Sequence, residues 1–516
     1  MLAAKASSIV LPVSAKQHTK MTNSILSAIK QHAASTPEAT AVIGSHTSLK
    51  YRELQSQINL FSKTLDASCL GLLMDNSPAW LVADLVCLQQ GITCVPLPPF
   101  FSKSQLKNAI NNANIDCILC DDLSTIAPLL DTEYQQSELT VAGQTLQLIK
   151  LAKPVNESLK GVAKVTYTSG TSGTSKGVCL SSQAIEMAVT SLCQASESDR
   201  DTVTLALLPL AVLLENIGAA YTPLVVGGRC ILLNMRDIGI HGAANIDSHK
   251  LNQCIHQYRP SILILMPQML RVLLESTHGS EIPSSLKFIA IGGAPVSKAL
   301  LQRARNIGLP VFQGYGLSEA SSVVSLNTAN ANRVGSVGKV LPHATIKFSQ
   351  DNEILVRGSC YIGYLEGEHH EHDDWLATGD LGYIDSDGFL FISGRKKSIF
   401  ITALGRNVAP EWVEGELQNN SVIAQSAVFG EGKPYNVAII VPRLLGGKIP
   451  DQRDLETAVL IANEQLPEYA RIKHYHVSDA PFSLDNGHYT ATGRPRRESI
   501  ASAYANEINN LYIENT

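Results

Sequence analysis

The run from Thr168 to Gly177 contains the residue types that could bind a polyphosphate. From Thr168 to Lys176 every residue is glycine, serine, threonine or lysine (TSGTSGTSK). Glycines let backbone N–H groups approach phosphate oxygens, hydroxyls donate further hydrogen bonds, and Lys176 supplies a point charge. The loop is not a Walker A motif, because Gly177 follows the lysine where a serine or threonine is required. A flexible Ser/Gly loop without a ligand is the alternative that composition alone leaves open.

Two further turns carry groups that could bind a nucleotide. In QGYGLSE (313–319), Tyr315 could flank a purine and the Glu319 carboxylate could hold Mg²⁺, which prefers oxygen ligands. This run is not a dinucleotide fingerprint, since Glu319 stands where the third glycine is needed. The run IAIGGAP (289–295) ends a predicted strand, and by itself it is typical of a strand-end turn.

Downstream, an aspartate and a basic run could contact a polar ligand. Asp380 in WLATGDLG (375–382) has two carboxylate oxygens, which could accept hydrogen bonds from a pair of hydroxyls. The basic run GRKK (394–397) follows, and by itself it would be a solvated surface turn. Histidines 369, 370 and 372 lie among acidic residues, where we expect a solvated surface insertion rather than a metal site.

The elements that must position these residues follow from the hydrophobic pattern. Short runs rich in Val, Ile and Leu, such as LGLLMD, RCILLN and SILILMP, alternate with helical patterns. This predicts an α/β fold with largely parallel, buried sheets. After about residue 330 the runs become short and hairpin-like, and the last 120 or so residues predict a small α+β unit. We predict a disordered leader at 1–20, a large domain at 21–396, a hinge near Lys397 and a small domain at 397–516.

Composition limits the function classes. The 516 residues include 41 Lys+Arg and 46 Asp+Glu, so the net charge of −5 does not favour nucleic-acid binding. A hydrophobic fraction of 45% argues against intrinsic disorder. The CxxC of Cys117 and Cys120 lies in a strand-like run, where residues three apart face opposite ways, so a redox or metal pair is not expected. No stretch is predicted to span a membrane, and we expect a cytoplasmic protein.

Taken together, the motifs resemble those of the adenylate-forming superfamily, which includes acyl-CoA synthetases, nonribosomal peptide adenylation domains and luciferases. The loop is similar to TSGT[ST]GxPKG, residues 313–319 to GYGxTE, and the later runs to the TGD and hinge motifs. The order is retained over about residues 30–500, and GRNVAP (405–410) is most similar to the fatty acyl-CoA synthetase branch. The resemblance implies a large body of mixed β-sheets flanked by helices, with a β-barrel-like part, and a small mobile C-terminal domain.

The resemblance also implies a set of site residues. Arg494, Lys176 and Glu319 would be catalytic, and Glu319 with Thr171 would bind Mg²⁺. Val212 and Gly292 would line the acyl pocket, and Lys397 would be the pivot of the hinge. The residues that would bind ATP or AMP are Thr168, Ser169, Gly170, Thr171, Ser172, Gly173, Thr174, Gly293, Ala294, Pro295, Gln313, Gly314, Tyr315, Gly316, Ser318, Asp380 and Arg395.

Three positions depart from the family pattern. Arg494 stands in NGHYTATGRPRR (486–497) where the family has its catalytic lysine, which keeps the charge but replaces an ammonium with a planar fork. Val212, in LPLAVLLE (208–215), replaces a histidine and makes the pocket wall apolar. Ser175 replaces a proline, which should loosen the loop without removing a phosphate contact.

The resemblance implies ATP-dependent activation of a carboxylic acid to acyl-AMP, followed by thioester formation with coenzyme A. The enzyme would be an acid–thiol ligase that uses ATP, Mg²⁺ and CoA, and its acid would be a medium- or long-chain fatty acid rather than an amino acid. Two alternatives stay open. The acyl group could pass to an acyl carrier protein or an amine, or Arg494 and Val212 could mark a nucleotide-binding protein without catalysis.

Overall fold

The structure is a computed structural model. It describes residues 25–152, 159–168, 176–241, 245–276, 283–367, 370–371, 374–444, 448–490 and 494–513. The predicted leader at 1–20 lies outside the described residues, as do Ser169, Gly170, Thr171, Ser172, Gly173, Thr174 and Ser175 of the predicted phosphate loop.

The α-helices of the described chain are short to medium in length. They are α1 (Ile25–Ser35), α2 (Tyr51–Phe61), α3 (Pro78–Gln90), α4 (Lys103–Asn112), α5 (Leu123–Ile126), α6 (Ser182–Ala195), α7 (Leu213–Glu215), α8 (Thr222–Val226), α9 (Ser248–Tyr258), α10 (Pro267–Ser276), α11 (Lys298–Asn306), α12 (Pro410–Leu417), α13 (Gln452–Glu464), α14 (Arg497–Ala503) and α15 (Ala505–Ile513). A π-helix, Asn216–Tyr221, connects α7 to α8.

The strands alternate with these helices. They are β1 (Thr40–Gly44), β2 (Ser48–Lys50), β3 (Cys69–Leu73), β4 (Thr93–Pro96), β5 (Cys117–Cys120), β6 (Tyr134–Val141), β7 (Gln144–Leu151), β8 (Lys164–Thr168), β9 (Lys176–Leu180), β10 (Val203–Leu205), β11 (Arg229–Leu232), β12 (Ile240–His241), β13 (Asn245–Ile246), β14 (Ile262–Leu265), β15 (Phe288–Ile291), β16 (Val311–Tyr315), β17 (Ser325–Leu326), β18 (Lys339–Val340), β19 (Ala344–Phe348), β20 (Glu353–Gly358), β21 (Gly363–Tyr364), β22 (Leu376–Ile384), β23 (Leu390–Arg395), β24 (Phe400–Ile401), β25 (Asn407–Val408), β26 (Ile423–Phe429), β27 (Asn436–Pro442) and β28 (Ile472–Val477).

Two large mixed sheets form the body. One has the order β18-β17-β16-β15-β14-β10-β11-β1-β2, and the other has the order β21-β9-β8-β4-β3-β5-β7-β6. Their central strands are parallel, from β16 through β1 in the first and from β8 through β5 in the second. The carboxyl ends of parallel strands meet at one edge of a sheet, where ligands bind in open α/β folds.

Helix α3 lies in the hydrophobic core that joins the two sheets. Its first ten residues are all buried, and Trp80 belongs to the same apolar cluster as Leu72 of β3 and Cys230 of β11. The helix starts where the sequence provides a cap, since the Ser77 hydroxyl accepts a hydrogen bond from the Trp80 N–H. It ends at Gly91, which adopts a left-handed conformation (φ 69°) that favours glycine.

The antiparallel sheets follow the body in the chain. A four-stranded sheet has the order β19-β20-β22-β23, and Asp387 and Gly388 lie in the turn between its last two strands. The final sheet has the order β26-β27-β28 and packs against α12 and α13 around its own core. The predicted α/β class is confirmed, whereas the mobility of the small domain and the domain boundaries stay predictions.

Candidate functional site

One continuous cleft of ≈ 3730 Å³ is lined by every predicted site residue that the structure describes. Small-molecule sites usually occupy about 300–1,000 Å³, so this cleft has room for more than one ligand. Its walls come from the body and from the chain after residue 397 alike. The predicted residues in its wall are Thr168, Lys176, Val212, Gly292, Gly293, Ala294, Pro295, Gln313, Gly314, Tyr315, Gly316, Ser318, Glu319, Asp380, Arg395, Lys397 and Arg494.

The carboxyl ends of β15 and β16 bring two predicted motifs together. Ile291 pairs with Gln313, so Gly292 and Gly293 follow β15 beside the last residues of β16. Gly293 has φ 80°, and a Cβ there would lie 2.6 Å from the Met266 Sδ. Packing also requires a glycine at position 316, the second glycine of the Gly-Tyr-Gly run, because a Cβ there would lie 1.8 Å from the Ser322 carbonyl oxygen. Both positions therefore require glycine.

Asp380 is the centre of a hydrogen-bonded cluster next to the carboxyl end of β16. The Tyr315 hydroxyl donates to its Oδ2 at 2.8 Å, and the Arg395 Nε lies 2.8 Å from its Oδ1. Asp380 and Arg395 are directly opposite on β22 and β23, so the sheet register sets their separation. Burial, and then the Asp380 charge, raise the pKa of Tyr315, which keeps its hydroxyl a donor. The carboxylate is thus fixed in the cleft with further lone pairs available.

Arg494 reaches the body from the C-terminal part of the chain. Its Nη2 and Nε donate to the Gly293 carbonyl oxygen at 2.7 and 3.2 Å. Burial, and then the like charge of Arg395, lower the pKa of the Arg494 guanidinium, while Asp380 acts in the opposite direction. The predicted catalytic cation and the predicted ribose cluster therefore share one end of the cleft. We call this the nucleotide end, defined by Gly293, Tyr315, Asp380, Arg395 and Arg494.

The ends of the predicted phosphate loop lie beside Glu319. Thr168 and Lys176 pair across β8 and β9, so the loop begins and ends at neighbouring residues. Glu319 lies in a 3₁₀ turn after β16, and its Oε1 accepts a hydrogen bond from the Tyr364 hydroxyl at 2.9 Å. The Lys176 Nζ lies 5.0 Å from the centroid of the Tyr364 ring. Tyr364 was not predicted, since a lone tyrosine after a glycine carries no chemical signal in the sequence.

The residues around Glu319 suit Mg²⁺ as a metal shared with phosphates. Mg²⁺ is usually bound by one or two carboxylates together with substrate oxygens and water, rather than by a cage of protein ligands. Within the described ranges no group of three His, Cys, Asp or Glu side chains could hold a metal by itself, and Glu319 supplies one carboxylate to the cleft. This donor set fits the predicted ion. Of the predicted metal ligands, Thr171 lies outside the described residues.

The run predicted to line the acyl pocket (208–215) ends in a buried acid. Val212 precedes α7 and lines the cleft, and Glu215 at the end of α7 is fully buried. The Glu215 Oε1 accepts a hydrogen bond from the Leu207 N–H at 2.7 Å, whereas its Oε2 meets the hydrogen-bond distance criterion with none of the described residues. Burial raises the pKa of Glu215 to about 8, so this carboxyl is neutral at pH 7.

A second buried polar group was not foreseen from the sequence. The Lys164 ammonium, at the start of β8, contacts the Asp84 Oδ1 at 2.8 Å, the Asn216 Oδ1 at 2.5 Å and the Tyr221 hydroxyl at 3.2 Å. Asn216 and Tyr221 are the first and last residues of the π-helix. The pair thus connects the strand before the phosphate loop to the segment after the acyl motif.

Two ion pairs involve residues next to the predicted hinge and in the chain that follows it. The Lys396 Nζ lies 3.1 Å from the Glu353 Oε2, while Lys397 lines the cleft. The Nη1 of Arg443, the residue after β27, lies 3.5 Å from the Oε1 of Glu275 in α10. The pivot role of Lys397 stays a prediction. Of the three histidines at 369–372, only His370 is described, and it packs against Tyr361.

Comparison with known proteins identifies the family. Residues 29–362 match the family described as AMP-binding enzyme, and residues 397–516 match the AMP-binding enzyme C-terminal domain. The chain therefore belongs to the AMP-binding enzyme family, which confirms the resemblance to the adenylate-forming superfamily.

Individual relatives differ in how much of their length is matched. The long-chain-fatty-acid–CoA ligase FadD15 of Mycobacterium bovis is 34% identical over 246 residues, which cover 43% of this chain and 41% of that protein. The chain thus aligns with about two fifths of that relative. The 2-succinylbenzoate–CoA ligase of Bacillus pumilus is 28% identical over 426 residues, covering 77% of this chain and 82% of that protein.

The fold is shared with solved structures of low sequence identity. O-succinylbenzoate coenzyme A synthetase from Bacillus subtilis, in complex with ATP and a magnesium ion, gives a TM-score of 0.73 at 22% identity. That match covers 91% of this chain and 98% of the other. Separately, none of the helices in the described ranges is long and apolar enough to cross a membrane.

Proposed function

We propose that this chain is an ATP-dependent acid–CoA ligase that activates a medium- or long-chain aliphatic acid through an acyl-AMP intermediate. The observation that carries the proposal is the contact of the Arg494 guanidinium with the Gly293 carbonyl oxygen, beside the cluster of Tyr315, Asp380 and Arg395. This contact brings a cation from the C-terminal segment beside the residues that we assign to the nucleotide, which supports the proposal.

In the first step, the nucleotide end would orient ATP. The Asp380 carboxylate would accept the ribose hydroxyls with Arg395 beside it, and Tyr315 would flank the purine. Lys176 would contact the β- and γ-phosphates, and Glu319 would hold Mg²⁺, which neutralises phosphate charge when bound. These roles are positional and electrostatic, as phosphoryl-group chemistry requires.

The acid would then react at the α-phosphorus. A carboxylate oxygen forms the new P–O bond, the bond from the α-phosphorus to the bridging oxygen breaks, and pyrophosphate leaves with the electron pair. The Arg494 guanidinium would stabilise charge that develops on the α-phosphoryl and carboxylate oxygens. In the second step the CoA thiolate attacks the acyl carbonyl carbon and AMP leaves. We propose that the small domain reorients about Lys397 between these steps.

An apolar part of the cleft, which we call the acyl end, favours an aliphatic acid. It lies between strands β14 to β17 on one side and α6 with the π-helix on the other, and no charged side chain is among its described lining residues. They are Leu192, Gly218, Thr222, Ile262, Ile264, Phe288, Val323 and Leu326. Burial of methylene groups against such a wall is worth about 0.8 kcal/mol each, which favours a long aliphatic chain.

An aromatic dicarboxylic acid is the second candidate substrate. The observation that favours it is the presence of Arg236 and His241 in the wall of the cleft, on the segment that follows β11. A cationic side chain there could pair with a second carboxylate. Relatives named as 2-succinylbenzoate–CoA ligases give the same class.

An ATP–pyrophosphate exchange assay tests the proposal. The full chain would be incubated with MgATP, labelled pyrophosphate and each acid from C2 to C18, with 2-succinylbenzoate in parallel. We expect exchange that increases with chain length. Exchange with 2-succinylbenzoate alone would establish the second candidate, and no exchange with any acid would remove the ligase function and leave a nucleotide-binding protein.

The acceptor is tested separately. Chain loaded with acyl-AMP would be mixed with CoA, with a holo acyl carrier protein or with an amine. We expect the thioester of CoA. Transfer to the carrier protein or amine without transfer to CoA would change the assigned acceptor while retaining acid activation.

A further inference from the structure

Tyr364 lies between the two groups that we assign to the polyphosphate and its metal. Strand β21 adds Tyr364 to the edge of the sheet, where it pairs with Val178 of β9. Two backbone hydrogen bonds flank the residue, from Leu365 N–H to the Gly177 carbonyl at 2.9 Å and from Ile362 N–H to the Cys179 carbonyl at 2.8 Å. The backbone of Tyr364 is therefore fixed relative to Lys176, where β9 begins.

The side chain of Tyr364 makes a different contact with each group. Its hydroxyl donates to the Glu319 Oε1 at 2.9 Å, and its ring lies under the Lys176 ammonium at 5.0 Å. A phenol donates to a carboxylate without adding charge, and a ring face attracts an ammonium without neutralising it.

These contacts take the place of a possible direct ion pair between Lys176 and Glu319. Lys176 and Glu319 have opposite charges, and a direct ion pair between them would use the lysine charge and the carboxylate oxygens that phosphate and Mg²⁺ require. Tyr364 instead contacts both residues, Glu319 through its hydroxyl and Lys176 through its ring. Its hydroxyl uses one oxygen of Glu319, and Oε2 has no hydrogen bond from the described residues.

We propose that Tyr364 is a positioning residue for the bound nucleotide, whose hydroxyl orients Glu319 toward the metal and whose ring holds Lys176 toward the phosphates. This inference rests on the proposed function. A purely packing role is the alternative, since Tyr364 also contacts Tyr361 edge to face at 5.0 Å. The two roles differ in whether the hydroxyl affects nucleotide binding.

Calorimetric titration of the full chain with ATP, once in MgCl₂ and once in EDTA, separates these roles. The variants are Tyr364→Phe, which removes only the hydroxyl, and Tyr364→Leu, which also removes the ring. Tyr361→Phe is the matched control, because it removes a hydroxyl from the same aromatic group and Tyr361 is not among the described residues that line the cleft. Thermal unfolding of each variant checks that it is folded.

We expect Tyr364→Phe to bind ATP about tenfold more weakly than wild type in MgCl₂ and equally well in EDTA, because its hydroxyl acts through the metal ligand. Tyr364→Leu should lose about a further fivefold in both media, because Lys176 loses its aromatic partner. Tyr361→Phe should match wild type.

Binding by Tyr364→Phe within twofold of wild type in MgCl₂, or an equal loss in EDTA, would overturn this role while leaving the proposed function intact. Wild-type chain that binds no ATP in either medium would overturn the proposed function and this inference together.

Discussion

The nucleotide end and the acyl end of the cleft are built on different physical principles. At the nucleotide end, Tyr315, Arg395 and Arg494 form charged or polar contacts of 2.7–2.8 Å with fixed directions. At the acyl end, the apolar side chains of Ile264 and Phe288 line the cleft and can affect a ligand only through their shape and size. Directional contacts lose most of their value when one atom is removed, whereas an apolar wall responds gradually to volume. Substitutions should therefore be severe at the first end and graded at the second.

Removal of the Arg494 charge should give the largest effect. We expect Arg494→Ala to slow acyl-AMP formation 10²–10³-fold, about 3–4 kcal/mol, because a preorganised cation beside the reacting oxygens is lost. Single-turnover formation of acyl-AMP is the measurement. Thioester formation from acyl-AMP supplied to the protein is the control, and we expect it to change little.

Arg494→Lys then tests the planar fork. Two guanidinium nitrogens contact the Gly293 carbonyl oxygen, and a lysine can place only a single nitrogen there, so we expect lysine to be slower than arginine. A faster lysine variant would mean that arginine impairs the site.

Equal rates for wild type and Arg494→Ala would show that Arg494 has no part in adenylation.

Asp380→Asn should be next in size. The amide keeps the shape but removes the charge opposite Arg395 and exchanges one acceptor for a donor facing Tyr315 or Arg395. We expect ATP affinity to fall about 30- to 100-fold by calorimetry, as for loss of hydrogen bonds to a charged group. Asp385→Asn is the control, since Asp385 directly follows β22 and pairs with Arg333 but is not among the described residues that line the cleft. Similar losses in both variants would point to a general effect on the sheet.

The difference between the two ends also explains what the sequence could predict. Residues such as Asp380 and Glu319 are recognisable because the chemistry demands one residue type at one place. Glycines such as Gly316 are recognisable for the same reason, since the Ser322 carbonyl leaves no room for a Cβ. The strands and the α/β class follow from apolar runs, which the structure confirms for β3, β11 and β14.

What the sequence could not predict depends on contacts between distant segments. Tyr364 is 45 residues from Glu319, and Lys164 is 80 residues from Asp84, so no local pattern pairs them. The contact of Arg494 with Gly293 joins positions 201 residues apart. The resemblance to the family had singled out both Arg494 and Gly293. Only the fold shows that the Arg494 guanidinium contacts the Gly293 carbonyl oxygen.

Glu215, at the border of the acyl end, should make the free energy of unfolding depend on pH. Because its folded-state pKa is about 8 and lies above the ordinary value of 4.5, the native protein keeps a proton that the unfolded chain loses as pH rises. The free energy of unfolding should therefore fall between pH 4.5 and 8, by about 2 kcal/mol from about pH 5 to about pH 6.5. Glu215→Gln, which mimics the neutral acid, should abolish that fall in urea unfolding.

The exposed Glu138 is the matched control for this measurement. Glu138→Gln removes an acid that lies at the surface on β6, so the pH dependence should stay as in wild type. If Glu215→Gln and wild type lost the same free energy over this range, Glu215 would be ionised in the folded protein, and a cation or water would have to contact its carboxylate.

The smallest effect is expected at Gly218 in the π-helix, and it addresses the graded response of the acyl end. A Cβ at this position would lie 2.5 Å from the Ile264 Cδ1, so Gly218→Ala must shift the end of that side chain, which lines the apolar part of the cleft. We expect kcat/KM for a C16 acid to fall about fivefold, roughly 1 kcal/mol, with little change for a C8 acid and none for ATP binding. Adding Ile264→Val removes the displaced methyl group and should restore most of the C16 activity. A loss of equal size for both acids, or one that Ile264→Val leaves uncorrected, would mean that the substitution acts on the π-helix itself and that the aliphatic chain lies elsewhere.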